Sequence, residues 1–189
     1  MCVARLLPVV LVAMSVFSPS NVRAEDPKSP GEYGLAAGKK MPFLVADFLG
    51  GKNRNRRGCP SVMIANSGGR GLIIWSRGAV DSAFQFAKAL EADAADGDKL
   101  QRFLVVFDAD DRVLSEKADS LGRFVVGKPR HSAKVEFDRR GVDAKVVVLV
   151  FLLDKKDIKF MWSFAADELS NDKVKELAAA VKQVATGDK

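Results

Sequence analysis

V-V-V-L-V-F-L-L, residues 146–153, is eight apolar residues without interruption, four of them valine. Eight residues is the length of a strand rather than of a helix. An unbroken apolar run of that length reads as a strand covered on both faces. D-K-K-D (154–157) turns the chain, and I-K-F-M-W-S-F (158–164) then alternates. That alternation predicts a hairpin partner with Ile158, Phe160, Trp162 and Phe164 on one face. Upstream, L-I-I-W (72–75) and F-L-V-V-F (103–107) are two more short buried strands, and L-V-A-D-F (44–48) is a third candidate.

Helical periods separate these strands. Ala83, Phe86, Ala87, Leu90 and Ala94 share one helical face, with Ser82 and Gln85 at capping-box spacing. Phe84 falls off that face and marks a possible contact surface. Asp108 to Asp111 opens a short helix carrying Leu114, Ala118 and Leu121, which Gly122 stops. A last helix starts at Ser170, stapled by Leu169 and Val174, and buries Val174, Leu177, Ala178 and Val181. The order is strand, strand, helix, strand, helix, hairpin, helix. Buried strands alternating with amphipathic helices predict a three-layer α/β domain.

The chain opens with Arg5, an apolar run at 6–17 and S-P-S-N-V-R-A, where Val22 and Ala24 fit a cleavage site. Residues 1–24 are therefore expected to be a signal peptide, too short in its apolar core to span a membrane. Residues 25–33 (E-D-P-K-S-P-G-E-Y) form a polar lead-in, and 34–186 the domain. The expected location is outside the cytoplasm, periplasmic or extracellular, with no stable membrane span after cleavage. The full chain carries a net +6, of which Arg5 and Arg23 lie in the leader. The rest is nearly neutral apart from one loop, where Lys52, Arg54, Arg56 and Arg57 fall within six residues without an acid.

That loop runs directly into Cys59. Cys2 leaves with the leader, so Cys59 is alone in an exported chain, where thiols are normally paired. An odd cysteine allows three outcomes: a reactive thiol activated by the neighbouring cations, an inert loop residue, or an intermolecular bridge that makes a dimer.

The element order, with G-L-A-A-G-K-K-M-P-F-L-V-A-D-F-L-G (34–50) and G-V-D-A-K-V-V-V-L-V-F-L-L-D-K-K-D-I-K (141–159), resembles exported thioredoxin-like and peroxiredoxin-like proteins. The resemblance implies a thioredoxin-like three-layer sandwich with a central mixed sheet. It also implies a Cys-x-x-Cys at the turn from the first central strand into the first long helix. Here that turn is W-S-R-G-A-V-D-S (75–82), without a cysteine. The cis-proline that such proteins carry before the hairpin is missing from D-A-K-V-V (143–147). Cys59-Pro60-Ser61-Val62 resembles a Cys-x-x-Cys whose second cysteine has been lost, placed ahead of the strand. Without a resolving thiol, a mixed disulfide at Cys59 has no intramolecular exit. The peroxiredoxin pattern P-x-x-x-[ST]-x-x-C fails too, because Arg56 stands where the hydroxyl belongs.

Two functions follow as expectations. The first is a redox-silent thioredoxin-fold module that acts by binding; the second is a monothiol enzyme using Cys59. Lys52, Arg54, Arg56 and Arg57 suit an anionic or acidic extracytoplasmic partner. Nucleic acid is excluded by compartment and by the lack of interleaved aromatic residues. The single histidine, His131, makes no metal set, and nothing in the sequence calls for a cofactor. Asp108, Asp110 and Asp111 are better read as helix caps than as metal ligands.

Overall fold

The computed structural model describes residues 34–67, 69–92 and 100–186. The signal peptide and lead-in expected at 1–33 lie outside the described residues. No helix among the described residues is long and apolar enough to cross a membrane.

Seven strands and five α-helices follow in chain order among the described residues, with 3-10 turns at Gly51–Asn53 and Ala166–Glu168. They are β1 (Ala46–Phe48), β2 (Arg57–Gly58), α1 (Pro60–Asn66), β3 (Arg70–Arg77), α2 (Val80–Ala92) and β4 (Gln101–Phe107). Then come α3 (Asp111–Ala118), β5 (Phe124–Pro129), α4 (Ala133–Arg139), β6 (Val146–Asp154), β7 (Asp157–Ala165) and α5 (Asn171–Thr186). The strands form one sheet in the order β2-β1-β5-β4-β3-β6-β7. β3, β4 and β5 are parallel, while β6 and β1 flank them antiparallel. The helices α2 and α3 make the two crossovers that parallel neighbours require.

The 146–153 run behaves as its composition predicts. β6 lies against the central β3, with Leu152 opposite Leu72 and Val150 opposite Ile74. Alternate residues of both strands feed two cores. Leu72, Ile74, Val150 and Leu152 pack with α2, α3 and α5 on one face. Ile73, Trp75, Phe151 and Leu153 pack with Ile64 of α1 and Phe137 of α4 on the other. This is the α/β three-layer sandwich with a mixed central sheet.

Several local expectations are corrected. The hairpin register shifts between Leu152 and Leu153, which face Phe160 and Ile158 respectively, so two residues of β7 span one step of β6. Ile158 therefore joins the α1/α4 core, whereas Phe164 joins the α2/α5 core. A bulge reverses strand alternation in just this way. Helix α2 begins two residues before Ser82, with Ala83 N–H donating to Ala79 C=O, so Ser82 is inside the helix and does not cap it. Phe84 is buried rather than a contact surface, because the wide core between α2 and the sheet takes it in. α3 ends at Ala118, ahead of Gly122, with Asp119 as its C-cap. β2, α1, β5 and α4 were not expected at all. Each is seven residues or fewer, too short for its period to show.

Candidate functional site

In open α/β sheets, function gathers beyond the carboxyl ends of the parallel strands. Four stretches meet at that edge here: 75–79 leaving β3, 107–110 leaving β4, 129–132 leaving β5, and 142–145 entering β6.

Strand alternation sets the first stretch. Trp75 and Arg77 point to the α4 face and Ser76 to the α2 face. Trp75 is 1 % exposed and is core, held edge-on by Phe151 and Phe107 at centroid distances of 5.2 and 5.7 Å. The Arg77 guanidinium lies 4.3 Å from the Phe137 ring centroid, and its Nη1 donates to the Ala144 carbonyl at 3.0 Å. Its Nε and Nη2, and the Ser76 hydroxyl, are buried without a hydrogen-bond partner. Arg77 thus ties the end of β3 to the lead-in of β6. Those are the two stretches where thioredoxin-like proteins carry their cysteines and their cis-proline. The turn 75–82 from β3 into α2 holds no cysteine, and no described peptide bond is cis.

Beneath Trp75, α4 carries a buried ion pair. Arg140 donates through Nε and Nη2 to Glu136 Oε1, the Nε contact being 2.8 Å, and it sits 5.5 Å from the Trp75 ring. The aspartates act as caps. Asp110 accepts from Arg112 and Val113 N–H at the start of α3, and Asp108 accepts from Ala133 N–H at the start of α4. Asp111 pairs with Lys128.

Cys59 belongs elsewhere. It is the N-cap residue of α1, with Pro60 fixing the first helical turn. It is 5 % exposed; its Sγ accepts from Leu44 N–H at 3.4 Å and lies 3.2 Å from Ser61 Oγ. The strand it leaves, β2, is separated from β3 by β1, β5 and β4. α1 itself packs on the sheet face opposite α2, so the half-lost motif is not beside the start of α2. His131 follows β5, with β1 between it and β2, which puts the two backbones about 10 Å apart. No described hydrogen bond joins them.

The basic loop is partly neutralised from within. Arg54 pairs with Asp119 and donates to the Leu49 carbonyl, while Arg57 pairs with Asp47, which also holds Arg130. Lys52 and Arg56 are exposed. Sequence reasoning missed Arg77. Its one signal was a cation set directly behind a fully buried strand, where a side chain needs an unusual partner.

No protein-family model matches the chain, and no curated protein sequence does. Solved structures do. A yeast mitochondrial 1-Cys peroxiredoxin superposes with a TM-score of 0.52 at 13% identity, over 79% of this chain and 76% of its own. Reduced Prx3 of Vibrio vulnificus with hydrogen peroxide gives 0.51 at 13% identity, over 80% and 99%. A protein disulfide isomerase candidate from Bacteroides thetaiotaomicron gives 0.52 at 10% identity, over 79% and 89%. The chain therefore has the thioredoxin-like fold. Identity at this level carries no statement about its chemistry.

Proposed function

We propose that this protein is an exported thioredoxin-fold module that is silent in thiol–disulfide exchange and works by binding. One observation carries this: the turn from β3 into α2 (75–82) holds no cysteine, and Arg77 there is tied to the Ala144 carbonyl. The burial of Cys59 supports it, because a thiol without surface meets neither a substrate disulfide nor a peroxide. Burial also weighs against a Cys59-linked dimer. The leader-like residues 1–24 support export.

The test is reduction of a protein disulfide by dithiothreitol, with the protein taken from an exporting host and its N-terminus read by mass spectrometry. The uncatalysed rate and a start at Glu25 are expected. Rate enhancement that disappears in Cys59→Ser would instead establish the monothiol enzyme, and an intact leader would refute export.

A further inference from the structure

The opposite edge of the sheet, where β4 and β5 begin, carries a groove of about 720 Å³. Lys52, Arg102 and Arg123 line it together with Asn53, Asn66 and Gln101. A second lobe of about 380 Å³ shares the same three cations. No acidic side chain lines either lobe among the described residues. The cations come from three places in the chain: the turn after β1, the first residues of β4, and the approach to β5. Arg102 is 6 % exposed, and its Nη1 donates to the Leu100 carbonyl at 3.0 Å, which fixes the guanidinium at the groove wall. Lys52 and Arg123 are exposed and reach solvent. Arg102 and Arg123 keep further contacts of their own.

We infer that this groove is an anion site for a small molecule bearing adjacent phosphate or sulfate groups. Its volume falls in the range of small-molecule clefts, about 300–1,000 Å³. Guanidinium forks match tetrahedral oxyanions in pairs, while an ammonium adds an adjustable point charge. Charge count selects the ligand. A multiply charged oxyanion gains more from three cations than a monocarboxylate does. The inference stands apart from the redox reading, since it uses neither Cys59 nor the α2 edge.

Inorganic pyrophosphate is the probe, titrated at fixed ionic strength into isotopically labelled protein and followed by amide chemical shifts. Saturable shifts are expected in residues 51–53, 66–67, 101–103 and 122–125. Lys52→Gln and Arg123→Gln, both at exposed positions, should each weaken the dissociation constant about tenfold. Arg56→Gln, outside the groove, should leave it unchanged. The same spectra report that each variant is folded. Shifts that fail to saturate, that centre on 54–57, or that weaken equally in Arg56→Gln would overturn the assignment.

Discussion

Replacing Cys59 separates a structural sulfur from a working one. Sγ is the acceptor for Leu44 N–H, and both residues are buried, so Cys59→Ala leaves that N–H without a partner. An orphaned buried donor costs about 1–3 kcal/mol. Cys59→Ser keeps an oxygen that can accept from Leu44 and exchange a hydrogen bond with Ser61, and should cost about 1 kcal/mol or less. Urea unfolding measures the difference. With a slope of about 1–3 kcal/mol per molar, a loss of about 2 kcal/mol lowers the midpoint by roughly 1 M at unchanged slope. The midpoints should fall in the order wild type, Cys59→Ser, Cys59→Ala. Alkylation of the wild-type thiol should likewise be slow in native protein and fast in urea, because the reagent waits for local opening. A Cys59→Ala variant as stable as wild type, or a native thiol that reacts as fast as the unfolded one, would refute a structural role for the sulfur.

Two further substitutions probe the layers around the sheet. Glu136→Ala strands the buried Arg140 guanidinium beneath Trp75 and should cost about 3–5 kcal/mol in calorimetry or urea unfolding. Glu136→Leu with Arg140→Met should recover most of that, and equal losses in the single and double variants would contradict it. At Gly71, an added Cβ would lie 2.2 Å from Ile64 Cδ1 and 2.4 Å from Cγ1, so Gly71→Ala forces α1 away from β3. A loss of about 1–3 kcal/mol is expected, partly relieved by adding Ile64→Val; an unchanged midpoint would show that α1 is not held there.

Elements with long, strong periods were legible in the sequence, and those that depend on neighbours were not. The 146–153 run could be nothing but a doubly covered strand, and the turn at 154–157 made its hairpin. α2 showed its stripe through Ala83, Phe86, Ala87 and Leu90. The bulge at Lys159 was invisible, because a two-residue period looks unbroken until the partner's register is known. α1 was hidden because seven residues make barely two turns, and Cys59-Pro60 drew the eye to thiol chemistry rather than to an N-cap. Within the basic loop, clustering in sequence suggested one cationic patch. The fold divides it, sending Arg54 to Asp119 and Arg57 to Asp47 while it turns Lys52 toward Arg102 and Arg123.

A side chain can act on a ligand only if it has both an unmet capacity and surface on which to meet it. At the carboxyl edge of the sheet the two conditions are split. Asp108 and Asp110 are surface-near but engaged by helix N–H groups, and Glu136 is engaged by Arg140. Arg77 keeps two nitrogens unmatched, yet both are buried, so a ligand would first have to draw the guanidinium off the Phe137 face and break its bond to Ala144. The amino edge differs in surface. Lys52 and Arg123 are exposed and line an open groove around the buried Arg102. The inferred anion site accordingly lies at the amino edge, where exposed cations line a groove, and not at the carboxyl edge, where the polar side chains are engaged or buried.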